Sequence, residues 1–200
     1  DVINETFRLE NEISKDENYE YSLNFDKRFN DEGHKLVVDF QMGENTDNEN
    51  SILTQNNLDF EQITSDETND SKLIKADYVL PIGENRQFEA GFKIEESDLY
   101  QDYKVYSNLN NNLILDTEQS NVFQYKEQIN AIYSQYGFKI DDKYSFLFGV
   151  RVEQTKKDII QITTDELIKK DDTGVFPTFN FGLEISEDES VTFGYSRRLR

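Results

Sequence analysis

The chain has 200 residues, of which 41 are acidic and 21 basic, so its formal net charge is −20. Proteins that bind nucleic acids need clustered Lys and Arg to neutralise phosphates, and this balance excludes a nucleic-acid partner. With 15 Phe and 11 Tyr the chain is richer in aromatic residues than a disordered segment, so we expect it to fold. It has no Cys, which excludes disulfides and thiolate metal sites.

The sequence has no apolar run of about 18 residues, so it predicts no membrane-spanning helix. Spanning β-strands are shorter, about 9–11 residues, and alternate apolar with polar positions. A chain that crosses a membrane with strands is therefore compatible with this composition.

Period-two alternation is the governing pattern. Tyr19, Tyr21, Leu23 and Phe25 alternate with polar residues, which predicts a strand with one apolar side. The pattern changes phase after turn-forming residues near position 31, which predicts a hairpin. It recurs in further segments that carry apolar side chains at alternate positions: Leu36–Met42, Ile74–Leu80, Phe88–Ile94, Tyr144–Val152, Phe179–Ile185 and Val191–Tyr195.

Two segments are less clear. Residues 123–140 have apolar side chains at both odd and even positions. The pattern therefore does not show which of these side chains share the apolar side of the strand. We interpret residues 1–18 as the end of a preceding strand or an extracellular loop. The chain then contains about eight or nine strands.

The connections between these strands differ at the two ends of the sheet. Tight turns are predicted near residues 31, 84, 141 and 188, and polar excursions between them: 43–51, 64–71, 106–112 and 168–174. Residues 52–63 keep some strand character, which suggests strands that project before turning. Short turns at one end and long loops at the other are typical of outer-membrane barrels.

We therefore predict an all-β fold, an antiparallel up-and-down meander over residues 1–200 that forms part of a larger transmembrane β-barrel. Alternation alone also describes a soluble all-β binding or structural domain, which remains the alternative.

The barrel prediction assigns side chains to two environments. The polar residues expected to face the lumen are Glu89, Lys93, Glu95, Arg151 and Glu153. The residues expected to face lipid are Phe88, Phe92, Phe146, Phe148, Val150 and Phe193.

The sequence predicts no catalytic, metal or cofactor site, and hence no enzyme. His34, the one histidine, follows a turn and is interpreted as solvated. The acidic clusters 47–49 and 187–189 lack the spaced Gly and terminal Glu of a calcium loop, so we interpret them as solvated turns.

Three pairs of segments resemble one family. Residues 176–183 read FPTFNFGL and are followed by VTFGYSRRLR at 191–200; residues 75–81 read KADYVLP and precede FEAGFK at 88–93; residues 125–133 read YKEQINAIY and precede FGVRVEQT at 148–155. Taken in chain order and with their spacing, these segments resemble the outer-membrane β-barrel domain of TonB-dependent receptors of Bacteroidetes-type bacteria. The resemblance covers most of residues 19–200.

The resemblance implies a barrel of about 22 strands around a plug, which imports a scarce solute of the siderophore, oligosaccharide or peptide class. It implies outer-membrane lipid, the rest of the barrel and its plug as partners. A TonB-type energising protein would be contacted through an N-terminal part that this chain lacks. The chain is then expected to be a segment of such a receptor.

Overall fold

The computed structural model describes residues 7–56, 58–110, 112–141 and 143–197, which form one antiparallel sheet. Its eight strands are β1 (Arg8–Arg28), β2 (Lys35–Gln55), β3 (Leu58–Pro81), β4 (Arg86–Leu109), β5 (Asn112–Ile140), β6 (Tyr144–Gln161), β7 (Glu166–Glu184) and β8 (Ser190–Ser196).

Each strand pairs with the next along the chain, in the spatial order β1 to β8. Leu80 lies opposite Phe88, and Ile140 lies opposite Tyr144, as hairpins around residues 84 and 141 require. The predicted all-β meander is confirmed. The sheet is open in the described residues, with β1 and β8 at its two edges.

The predicted long loops are wrong. Residues 43–51 lie within β2, 64–71 within β3 and 168–174 within β7, while 106–109 end β4. These segments have polar side chains on both sides, which resembles a loop in sequence. In the structure their backbone groups pair with the neighbouring strand, and water can reach both faces.

Tight turns therefore join the strands at both ends of the sheet. Only positions 56 and 57 separate β2 from β3. Asn56, Asn110 and Asp165, in the three turns at this end, have φ of 53°, 53° and 56°. Asn and Asp tolerate this left-handed conformation better than most residues, which explains their place in these turns.

Residues 8–18 are continuous with the strand that the alternation from Tyr19 predicts, and together they form β1. Residues 1–6 of the predicted N-terminal segment lie outside the described residues.

The sheet has two chemically distinct faces. Side chains directly opposite each other on neighbouring strands point to the same side of the sheet. The pairing register therefore assigns each paired side chain to one of the two faces. One face, here called the apolar face, carries an apolar belt near the turns at 29–34, 82–85, 141–143 and 185–189. A representative row of the belt is Phe25, Val38, Ala76, Phe92, Ile132, Val152 and Val175. The opposite side is the polar face.

The register also resolves the facing of β5. Ile132 pairs with Phe92 and Tyr136 pairs with Phe88, so both lie on the apolar face. Ala131 and Tyr133 lie on the polar face, opposite Lys93 and Gly91.

Burial in this sheet is the reverse of that in a soluble protein. Large apolar side chains of the apolar face are exposed, including Leu23 at 69% and Ile132 at 64%. In the described residues no second layer covers them. Charged side chains of the polar face are more sheltered, with Glu153 at 19% and Asp77 at 25%.

None of the described residues forms a helix with the length and apolarity needed to cross a membrane.

Candidate functional site: the polar face

The structure separates the two predicted sets of residues. The register puts all five predicted lumen residues, Glu89, Lys93, Glu95, Arg151 and Glu153, on the polar face. It puts all six predicted lipid residues, Phe88, Phe92, Phe146, Phe148, Val150 and Phe193, on the apolar face. Their assignment to lumen and lipid stays a prediction.

The apolar face carries a cluster of stacked aromatic rings near the short turns. The ring centroids of Phe138 and Phe146 are 5.1 Å apart, and those of Phe148 and Phe179 are also 5.1 Å apart. Phe148 is nevertheless 48% exposed. These rings contact one another along the sheet, but no second layer of the described residues covers their outward surfaces.

Three basic side chains on the polar face are neutralised by acids two positions along the same strand, whereas Lys157 pairs with Glu127 on the neighbouring strand. Nη2 of Arg151 lies 2.6 Å from Oε2 of Glu153, and Nζ of Lys75 lies 2.7 Å from Oδ2 of Asp77. Lys93 pairs with Glu95 in the same way. Residues two apart on a strand share a face, so opposite charges at this spacing in the sequence are the signal that could have predicted these pairs.

A tyrosine bridges three strands above a glycine. The Tyr133 hydroxyl on β5 donates a hydrogen bond to Oδ1 of Asp77 on β3 and crosses Gly91 on β4. A Cβ atom at position 91 would lie 2.6 Å from Cζ of Tyr133 and 2.5 Å from the carbonyl oxygen of Ala76. Glycine at position 91 is therefore required for the bridge.

Further along the strands, away from the belt, the polar face becomes acidic over β1–β3. Asp16, Asp47 and Glu67 lie directly opposite one another, and we call them the carboxylate row. Partial burial raises the pKa of the Asp47 carboxyl, and the nearby Asp16 raises it further. Residues 47–49 belong to β2, so their interpretation as a solvated turn is wrong.

Over β4–β6 the same part of the polar face is apolar. Leu99, Tyr125 and Ile159 lie opposite one another, and we call them the apolar strip. Towards β1, the residues directly opposite Leu99 on successive strands are Asn69, Asn45 and Asn18. Sequence reasoning missed this strip because two of its residues lie in segments whose apolar side chains occur in both phases.

A groove lies beside these asparagines. It has a volume of about 350 Å³, and Asn18, Asn45, Asn69, Glu20 and Ser71 are among its lining residues. Gly43 opens it, because a Cβ there would lie only 2.9 Å from Oγ of Ser71. We call it the Gly43 groove.

His34 lies at the opposite end of the sheet. Its Nε2 is 2.9 Å from the Tyr78 hydroxyl, and its ring centroid is 4.4 Å from that of Phe29. It is half-buried, so it is partly accessible to solvent and also contacts these two rings. Within the described residues no three His, Cys, Asp or Glu side chains are placed to hold a metal ion.

The sequence matches the outer membrane protein beta-barrel family over residues 27–200. The chain belongs to this family. The sheet is accordingly part of a β-barrel in the cell outer membrane, surrounded by membrane lipid. This assignment decides against the soluble all-β domain. Among curated proteins no sequence matches the chain.

Solved structures of similar fold include three receptors or transporters. The siderophore receptor PiuA from Acinetobacter baumannii has a TM-score of 0.63 at 10% identity, over 92% of this chain and 32% of that one. The unliganded ferric citrate transporter FecA has a TM-score of 0.59 at 13% identity, over 87% and 26%. The ferric yersiniabactin uptake receptor FyuA from Yersinia pestis has a TM-score of 0.58 at 13% identity, over 90% and 27%.

The chain thus spans between a quarter and a third of the length of these structures.

Proposed function

We propose that this chain is part of the barrel of a TonB-dependent receptor that imports a scarce solute of the siderophore, oligosaccharide or peptide class. The observation that carries the proposal is the single-layer sheet with an exposed apolar face and a sheltered, ion-paired polar face. Such a wall suits a water-filled passage surrounded by lipid.

The polar face lines this passage in the proposal. Glu89, Lys93, Glu95, Arg151 and Glu153 face the lumen, and the belt residues Phe88, Phe92, Phe146, Phe148, Val150 and Phe193 face lipid. The strands extend well past the 9–11 residues that cross a membrane, with 24 in β4 and 29 in β5. The belt lies next to the turns at 29–34, 82–85, 141–143 and 185–189, so little chain projects beyond the membrane at that end. In such barrels the longer projections are on the extracellular side, so the long extensions are extracellular and first meet the solute.

The partners follow from the open edges and from the energy requirement. The unpaired edges of β1 and β8 join further strands of the same barrel, and the polar face surrounds a plug. A TonB-type protein delivers energy through another part of the receptor. The role is transport and involves no bond-making chemistry.

The test is accumulation of radiolabelled ferric siderophores, oligosaccharides and peptides by cells. Three strains are compared: one with the complete receptor, one without it and one without the TonB-type protein. We expect one solute class to accumulate only when both proteins are present. Equal accumulation without the receptor would refute the proposal, and equal accumulation without the TonB-type protein would indicate a passive pore instead.

A further inference from the structure

We propose that the extracellular half of the polar face binds an organic cation. Its apolar or aromatic body lies on the apolar strip, and its positive group lies in the Gly43 groove beside the carboxylate row. The inference rests on the proposed function, since it names the solute class that this wall recognises.

The apolar strip provides the surface for the body of the solute. Leu99, Tyr125 and Ile159 are adjacent on three neighbouring strands, and Phe123 lies next to them opposite Gln101. With strands about 4.8 Å apart, the strip is about 10 Å wide, which is the size of a fused-ring system. Leu99, Tyr125, Ile159 and Phe123 are all half-buried and unpaired with any second layer of the described sheet.

The groove provides the place for the positive group. Along β1, Glu20 lies two residues from Asn18 in one direction, and Asp16 of the carboxylate row lies two residues from Asn18 in the other. Acidic side chains therefore lie on both sides of the asparagines that line the groove. Its volume of about 350 Å³ falls within the usual range of small-molecule sites, about 300–1,000 Å³. The groove and the apolar strip are continuous, since Asn69 lies directly opposite Leu99.

Charge determines which solute fits. On the polar face of residues 10–18, 45–53 and 61–69, all of them described, there is no Lys or Arg. The carboxylates of Asp16, Asp47 and Glu67 therefore lack the strand-local counter-charges found nearer the belt. The groove itself is lined by Lys72 and by three acids, Glu20, Glu44 and Glu95, so its formal charge is also negative. Such a wall repels an anion and attracts a cation. Because the groove adjoins the apolar strip, the cation that fits both surfaces is one with an apolar or aromatic body.

The experiment measures fluorescence anisotropy of two probes with the complete receptor in detergent. Rhodamine 6G is an aromatic cation, and fluorescein has the same ring system with negative charge. We expect the Kd for rhodamine 6G to be lower by about tenfold or more. We also expect its binding to weaken with added salt, because the carboxylates are accessible to solvent. Equal affinities, or preference for fluorescein, would overturn the inference.

Matched variants locate the binding site. Glu67→Gln removes a charge from the polar face, and Asp66→Asn removes one from the neighbouring position on the opposite face. Ile159→Asn and Ile160→Asn form a second pair around the apolar strip. We expect Glu67→Gln and Ile159→Asn to raise the Kd of rhodamine 6G about fivefold, with a change below about twofold for each partner variant.

Folding of each variant is checked by its heat-dependent shift in electrophoretic mobility. If both members of a pair weaken binding equally while remaining folded, the inference is wrong. Failure of this inference is separable from failure of the proposed function. Energy-dependent uptake without cation preference refutes only the inference, and cation binding without energy-dependent uptake refutes only the transport role.

Discussion

Phe148 illustrates how facing controls the effect of a substitution. It occupies the middle of the alternating series Tyr144–Val152 on the apolar face, whose eight intervals span about 27 Å along the strand at roughly 3.4 Å each. This length matches an apolar band of about 25 Å. We therefore expect Phe148 to lie near the bilayer midplane.

We predict that Phe148→Arg destabilises the complete barrel by about 2–4 kcal/mol, because a charge is forced into hydrocarbon. Leu147→Arg, on the polar face one position away, is the control and should cost less. The measurement is the urea midpoint of unfolding in lipid vesicles. A cysteine at 148, but not at 147, should also carry a fluorophore that lipid-borne quenchers reach; quenching at 147 instead would reverse the facing.

Gly91 is a position where adding a single methyl group should destabilise the sheet. We predict that Gly91→Ala lowers the free energy of unfolding by about 1–3 kcal/mol, because the new methyl group overlaps the Tyr133 ring and the Ala76 carbonyl. Gly137→Ala is the control, since its Cβ would meet its nearest atoms at 3.4 and 3.6 Å. Equal unfolding midpoints for the two variants would contradict the tyrosine bridge.

Asp47 makes stability depend on pH in a defined direction. Its pKa lies above the ordinary value of 3.8, so between these two values the folded state binds more protons than the unfolded state. Stability therefore falls as pH rises through this window. We predict that Asp47→Asn removes this fall and is the more stable protein above it. Thermal unfolding of both proteins across the window checks this, and parallel stability curves would contradict it.

At the scale of the strands, the register of the extensions can be tested directly. Asn45 lies opposite Asn69 in β2 and β3, whereas Glu67 is displaced diagonally by two residues. The chain has no Cys, so introduced thiols have no competitors. We predict that Asn45→Cys with Asn69→Cys forms a disulfide under mild oxidation, because opposite residues lie within its usual Cα separation of about 4.4–6.8 Å.

The pair Asn45→Cys with Glu67→Cys is the control and should stay largely reduced. Similar yields from the two pairs would mean that residues 43–51 and 64–71 form a flexible loop, as their composition suggests.

Sequence alternation predicted the belt because lipid contact demands apolar side chains at every second position, as in Phe88, Phe92 and Phe148. Beyond the belt that demand ends. Asn45, Asp47 and Glu49 face one way and Thr46 and Asn48 the other, so nothing in the pattern distinguishes a strand from a loop. Strand pairing, which involves residues far apart in sequence, supplies the missing information.

The facing of β5 was unpredictable for another reason. Ile132 and Tyr136 lie on the apolar face, while Ala131 and Tyr133 lie on the polar face beside Gly91. Tyr133 is needed there for its hydroxyl, and no single-strand pattern records a hydrogen bond to another strand. The carboxylate row and the apolar strip were missed likewise, because each is assembled from three strands.

For the molecule as a whole, the open sheet determines its association. β1 is an edge strand of 21 residues, and along its whole length it is paired only with β2. Its other edge carries unpaired backbone groups. We predict that the 200 residues expressed alone in detergent associate through these edges. Light scattering should report oligomers while circular dichroism reports β-structure. A β-structured monomer would contradict the prediction.

The ion pairs within single strands bear on how such a wall is assembled. Lys75 with Asp77, Lys93 with Glu95 and Arg151 with Glu153 each neutralise a charge without help from a neighbouring strand. A hairpin entering the bilayer ahead of its neighbours already carries these counter-ions, so its insertion does not expose an isolated charge to hydrocarbon. For these three cations, insertion of one hairpin at a time needs no charged partner from a neighbouring strand.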